Sequence, residues 1–298
     1  HILFFTFSIF SSHFQTFTVM IDSAEINHSV PEDLHNFAEL RAKKKGRKFD
    51  VTITIGWQTL KAHMTVLSAR IPLIRYVLNG ATSSHIFIPD EIDFAIFNIL
   101  VEYAYTGQLT ITGANVEEVA RGAALMRMGE LLDACVDFMM SKLNENSVLP
   151  LLAFFRSIGY GKLDDLMHAY VDRHFVHVSN TPEFAKISVG ELERLIGRNT
   201  LKIESEMDVF NAVAHWLDGD SSRLTQAPRL LKSVRVPLIP KPIIDDVIKK
   251  AEWVVADPEC MDFIEDVKEC VNNNTRISKR KRLDTTIFHS RHPSLNEN

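Results

Sequence analysis

FDVTITIGWQTLKAHMTVLSARIPLIRYVL, residues Phe49 to Leu78, changes its hydrophobic period once, and that change sets the architecture. Val51, Ile53 and Ile55 alternate with Thr52 and Thr54, the period of two that marks a strand buried on one face. Gly56, Trp57 and Gln58 break the alternation as a tight turn does. A second short strand is expected over Leu60 to Ala62, and the period shifts at His63. Val66 with Leu67, Ile71, Ile74, and Val77 with Leu78 then recur at helical spacing. Pro72 interrupts that run and starts a second helix, because a helix accommodates proline only in its first turn. A hairpin feeding directly into a helical pair is a mixed α+β unit.

Outward from this stretch, three further blocks keep the same order. They are KAHMTVLSAR within it, HIFIPD at His85 to Asp90, and FNILVEYAYTGQLTI at Phe97 to Ile111, with Tyr103-Ala104-Tyr105-Thr106-Gly107 as the most specific string. Together with FDVTITIG they resemble the BTB (POZ) domain over roughly a hundred residues. The resemblance implies an α+β fold, helices around a small sheet. Between Asp90 and Leu143 three helices are expected. Their apolar faces are Phe94, Phe97, Leu100, Val101 and Ala104; Val116, Val119, Ala120 and Ala123; and Leu131, Leu132, Cys135, Phe138 and Met139. Gly107 ends the first, and Asn115 is a good N-cap for the second.

Beyond Leu143 alternation disappears and helical faces take over, such as Val209, Phe210, Val213, Trp216 and Leu217. Asn180-Thr181-Pro182 and Val236-Pro237-Leu238-Ile239-Pro240 punctuate this half, and Glu206 with Asp208 favour a helix start. A stack of helical hairpins follows. SVLPLLAFFRSIGYGKLDDLMHAYVDRHFVHV, FAKISVGELERLIGRNTLKIESEMDVFNAVAHWL and LLKSVRVPLIP resemble the BACK domain, the all-α companion of BTB, and PECMDFIEDVKECV at Pro258 to Val271 is similar to its last helix. The expected layout is an N-terminal extension over 1–30, a BTB domain over 31–144, a BACK domain over 145–272 and a basic tail over 273–298.

Composition is that of an ordinary globular protein: 298 residues, 46% hydrophobic and 24% charged, suggesting about two domains. The net charge of -5 leaves no general footprint for nucleic acid. Three cysteines, Cys135, Cys260 and Cys270, form no metal-ligand spacing, and an odd number suits a reducing compartment. Cys135 sits on an apolar face and reads as a core thiol. Gly159-Tyr160-Gly161-Lys162 lacks the spacing and preceding strand of a phosphate loop and reads as a turn between helices. His168, His174 and His177 have no Cys or carboxylate at zinc spacing, and His63 reads as a strand end or helix start. No nucleophile, base and acid assemble into a set, so no enzyme, cofactor or metal is expected.

His1 to Ile21 contains no Lys, Arg, Asp or Glu and is crowded with phenylalanine. It lacks the basic start of a signal peptide, and its Ser, Thr, His and Gln weaken a membrane span; Met20 reads as the natural start. Leu34, Phe37 and Leu40 share a helical face just before Arg41, Lys43, Lys44, Lys45, Arg47 and Lys48. Arg276 and the run Lys279, Arg280, Lys281 and Arg282 form a second basic cluster, a nuclear-localisation candidate. The expected compartment is the cytoplasm, with the nucleus as the alternative. No membrane partner is expected.

What the resemblance implies about function is an adaptor. BTB–BACK proteins of the kelch-like type pair through BTB and hold cullin-3, the scaffold of a ubiquitin ligase, while a third domain recruits substrate. By this resemblance Leu34, Phe37, Leu40 and Val51 are dimer-interface candidates. Leu73, Ile74, Val77, Tyr105, Leu149, Leu152 and Phe155, with Ile158 beside them, are cullin-binding candidates. Cullin binders of the family carry an apolar residue, any residue, then Glu after the second BTB helix. Here Asn79-Gly80-Ala81-Thr82-Ser83-Ser84-His85 has no carboxylate, so cullin binding is expected to be weakened. The alternative is a scaffold or nuclear assembly protein without ubiquitin chemistry. No repeated blade pattern follows Val271, which leaves the substrate unnamed and both a BTB–BACK module and the front of a longer product open.

Overall fold

The computed structural model describes the backbone of Glu25–Ser29, residues 49–78, 84–88 and 90–272, and the single residues His289 and Arg291. The elements run β1 (Glu25–Ser29), β2 (Val51–Ile55), β3 (Gln58–Ala62), α1 (Met64–Arg70), α2 (Pro72–Leu78), β4 (His85–Ile88), α3 (Phe94–Thr106), β5 (Gln108–Thr112), α4 (Val116–Leu125) and α5 (Gly129–Met140). The helical half follows as α6 (Val148–Ser157), α7 (Asp164–Arg173), α8 (Phe175–Ser179), α9 (Val189–Ile196), α10 (Glu206–Asp218), α11 (Ala227–Leu231), α12 (Lys241–Asp246), α13 (Glu252–Val255) and α14 (Pro258–Asn272), joined by short 3₁₀ turns. Two compact units result: the described residues to Leu143 with Ala153–Tyr160, and Asn144–Leu152 with the described residues from Gly161 onward.

In the first unit, β2 is the centre of a three-stranded sheet, antiparallel to β3 and parallel to β4. Val51, Ile53 and Ile55 are buried, as the alternation predicts, and Ile86 and Ile88 of β4 join them. Gly56 has a φ of 55° at the first turn position, where a two-residue hairpin needs a left-handed residue. The turn is therefore Gly56-Trp57, and β3 begins at Gln58 rather than Leu60. Parallel pairing of β2 with β4 requires a crossover, which β3, α1 and α2 supply.

Helix α3 is capped at both ends. Asp93 accepts from the N–H of Ala95 at 2.7 Å, and Gly107 at φ 69° donates its N–H to the Tyr103 carbonyl. Phe97, Leu100, Val101 and Ala104 are buried as expected, while Phe94 is only half-buried. Gly122 of α4 faces α3, and a Cβ there would lie 3.0 Å from the side-chain tips of Ile96 and Leu100, which would have to shift to admit it.

Two findings go beyond the expectations. β5 (Gln108–Thr112) pairs antiparallel with β1, with Ile26 opposite Ile111, so a strand lies within the span expected to be an extension. A five-residue strand as polar as EINHS has almost no period to read, and its pairing partner lies far along the chain. Asn115 does precede α4, but its side chain does not cap the helix. It accepts from the Thr112 N–H at 2.8 Å and donates to the Thr110 carbonyl at 3.0 Å, closing the turn after β5.

The second unit is all-helical. α10 is its central helix, with Val209, Phe210, Ala212, Val213, Trp216 and Leu217 buried. It starts in a capping box in which Ser205 accepts from Met207 and Asp208 accepts from the Ser205 N–H. The Trp216 indole donates to the Ile187 carbonyl at 2.9 Å, and the Arg223 guanidinium lies 4.4 Å above the ring. Cys260, Ile264 and Val267 bury the inner face of α14.

Candidate partner-binding surface

On the BTB side the candidate surface is built on the α1–α2 corner. Asp50, just before β2, accepts from the Met64 N–H at 2.7 Å and so caps α1 from a distance in the sequence. Arg75 of α2 reaches back and donates to the carbonyls of Ser68 at 2.7 Å and Ala69 at 2.8 Å, satisfying the end of α1. The corner is thus held rigidly by side chain to main chain bonds. Inward from it, the Tyr105 hydroxyl accepts from the His63 N–H at 2.8 Å and lies 2.9 Å from His63 Nδ1. Burial, opposed by that N–H bond, raises the Tyr105 pKa, so the phenol keeps its proton. Burial also pushes the neighbouring Tyr103 up to about 12.

The structure separates the candidates. Leu73 and Val77 of α2 are half-buried and present their edges outward. Ile74 is 1% exposed and belongs to the core, as do Tyr105, Leu149 and Leu152; Phe155 is also 1% exposed. These five pack inside the chain, and a side chain already removed from water offers a partner no new apolar area. Ile158 is half-buried. Val51 is likewise inside the protomer core, on the buried face of β2. Leu34, Phe37 and Leu40, and the nuclear-localisation candidates Lys279, Arg280, Lys281 and Arg282, lie outside the described residues.

Sequence reasoning missed Tyr76, which is 63% exposed on α2. The signal was present: Tyr76 falls off the Ile71, Ile74, Val77 stripe, so a helix packed by that stripe turns it to solvent. Trp57, at the hairpin tip, is 91% exposed, and Phe87 on the outer face of β4 stacks on His85 at 4.8 Å. Exposed aromatics of this kind are frequent in interaction surfaces.

On the BACK side α6 is buried nearly all round, with Val148, Leu149, Leu151, Leu152, Phe154 and Phe155 all inside. That is why periodicity alone did not separate a core face from a contact face. Gly159 at φ 71° ends the stretch as a turn, and Tyr160 donates to Asp133 at 2.7 Å. His174 lies 3.6 Å from Glu145 and stacks on Tyr170. Among the described residues no group of His, Cys, Asp or Glu is placed to hold a metal ion. The three thiols are unpaired, and burial pushes Cys135 and Cys260 up to about 12, which leaves them protonated and unreactive. Among the same residues no helix is long and apolar enough to cross a membrane.

Comparison with known families agrees with this two-part architecture. Residues 37–143 match the BTB/POZ domain, and residues 148–249 match BACK, described as BTB And C-terminal Kelch. The chain carries a BTB/POZ domain followed by a BACK domain, both non-catalytic interaction modules. It is similar to Kelch-like protein 17 of Mus musculus, Rattus norvegicus and Homo sapiens, each at 28% identity over 246 residues. The similarity covers 80% of this chain and 38% of each relative, so the chain spans well under half the length of the curated relatives it matches.

Proposed function

We propose that this chain is a homodimeric protein-interaction adaptor that joins a cullin-3 RING ubiquitin ligase to a substrate protein. The observation that supports this most is the order of the two modules, BTB directly followed by BACK, in a chain related to kelch-like proteins, which are commonly cullin-3 adaptors. The α1–α2 corner adds a rigid platform from which Leu73, Tyr76 and Val77 reach outward. The cullin contact is expected to be weak. The loop after α2 carries no carboxylate, and losing a charged contact at an interface costs about 2 kcal/mol, more than about tenfold in affinity.

The second reading is a BTB scaffold, cytoplasmic or nuclear, that assembles partners without ubiquitin chemistry, and the same loop favours it. Calorimetry of the purified chain with a cullin-3 N-terminal domain decides between them. Measurable heat that Tyr76→Ala and Leu73→Ala diminish supports the adaptor; no heat and no complex moves the scaffold to first place. For the homodimer, sedimentation of Phe37→Asp/Leu40→Asp is expected to give monomers. An unaltered chain that is already monomeric at micromolar concentration removes that part of the proposal.

A further inference from the structure

Past α14, His289 and Arg291 lie against the second unit, and Arg291 is only 3% exposed. Its Nε donates to Glu206 Oε1 at 2.6 Å and its Nη2 to Oε2 at 3.1 Å, a two-pronged pairing. Its Nη1 donates to the main-chain carbonyls of Ile196 and Arg198, the second at 2.7 Å. Ile196 is the last residue of α9, where a helix presents its unsatisfied acceptors and its negative pole, and Arg198 follows its C-cap Gly197. Glu206 opens α10 and is held in place by the Ser205 capping box. One carboxylate and two carbonyls therefore converge on one planar cation.

The main chain near the arginine is held as well. Arg235 donates from Nη1 to the His289 carbonyl at 2.9 Å, is hydrogen-bonded to Asn199, and gives its own N–H to Glu206 Oε2 at 3.3 Å. Burial and the nearby Arg291 charge lower the Arg235 pKa, with Glu206 opposing them, so Glu206 balances two guanidinium groups. Every residue that receives Arg291 lies within the matched BACK residues, whereas His289 and Arg291 lie some forty residues beyond them.

We propose that the BACK domain contains a guanidinium-selective peptide socket, formed by Glu206 and the Ile196 and Arg198 carbonyls with Arg235 on the peptide backbone, whose resident ligand is Arg291 of the same chain. The ligand class is a peptide with an arginine two residues after a carbonyl free to accept. Lysine does not substitute, because an ammonium directs three donors from one point and does not span a carboxylate and two carbonyls in one plane. A second arginine peptide reaches the socket only by displacing Arg291, so the docked segment is an intramolecular competitor for it.

The test uses the full chain and a synthetic peptide of residues 285–295, measured by fluorescence anisotropy. The peptide is expected to bind Arg291→Ala, to bind the unaltered chain about tenfold more weakly or worse, and to lose about tenfold when its arginine is replaced by lysine. Equal affinity for the two chains, equal binding of the lysine peptide, or no binding to a folded Arg291→Ala chain overturns the proposal. Should Arg291→Ala not fold, trypsin reads the unaltered chain. Cleavage after Arg291 is expected to be about tenfold slower than in the free peptide, and equal rates overturn the proposal.

Discussion

The BTB half keeps its buried polar group neutral, a Tyr105 hydroxyl shared between the His63 N–H and imidazole. The BACK half buries charge: Asp172 grips Arg198 through two bonds of 2.7 and 2.8 Å, and Glu206 holds Arg291. Among the described residues, the carboxyl groups held below their ordinary values, Asp172, Asp220, Asp245 and Glu265, all lie on the BACK side. Burial alone raises Asp172, but bonds from Arg198 and Thr200 and the charges of Arg198 and His168 outweigh it. The contrast has a physical origin. Helix ends in both halves leave carbonyls and N–H groups that need outside partners, but in the BTB half the exposed Asp50 and Arg75 serve α1, whereas the BACK half uses buried charge. Arg291 meets that need at the Ile196 carbonyl that ends α9.

The largest expected effect probes the apolar side of the comparison. Phe97→Ala empties a fully buried site in the BTB core and is expected to cost about 3–5 kcal/mol in guanidinium denaturation. A loss under about 1 kcal/mol shows that the BTB core collapses onto the gap and is softer than its packing suggests.

Next comes the ion pair of the BACK half. Glu206→Ala leaves a guanidinium buried without its carboxylate and is expected to cost about 3 kcal/mol, while Glu206→Leu with Arg291→Met costs much less. The fluorescence of Trp216 and Trp253, both buried in this half, follows the transition, since Trp57 is already in water. Single and double variants of equal stability show that burying these charges is not what the site depends on.

Asp172→Asn sharpens the contrast through pH. A carboxyl whose folded value is depressed contributes stability that is complete above its unfolded value and lost as pH falls through the folded one. For Asp172 the loss therefore sets in as pH drops below the ordinary 3.8. Denaturation profiles of the unaltered chain are expected to fall in that acid range, with Asp172→Asn about 2 kcal/mol less stable at neutral pH and flatter in acid. Parallel profiles remove Asp172 from the account.

The smallest effect lies in the BTB half again. Tyr105→Phe removes the hydroxyl, leaves the His63 N–H without it, and is expected to cost about 1–2 kcal/mol. A larger cost than Glu206→Ala in the same denaturation series reverses the comparison.

Much of this molecule was legible in advance. The alternation of Val51, Ile53 and Ile55, the helix start at Pro72, the stop at Gly107 and the α10 start at Glu206 all stand where period and punctuation place them. The candidate surface was less legible. Ile74, Leu152 and Phe155 look like Leu73 and Val77 in sequence, yet the first three are buried and the last two are not. A helix packed on more than one side has no polar face to mark the direction of solvent.

Local order of the chain therefore decided which elements form and in which sequence, because hydrophobic period, caps and proline positions act within a few residues of one another. Tertiary structure alone decided that EINHS pairs with QLTIT, that Asp50 caps α1, and that Arg291 meets Glu206 across 85 positions of chain. Each depends on a donor and an acceptor that only the folded backbone brings to hydrogen-bonding distance, and no spacing in the sequence records that distance.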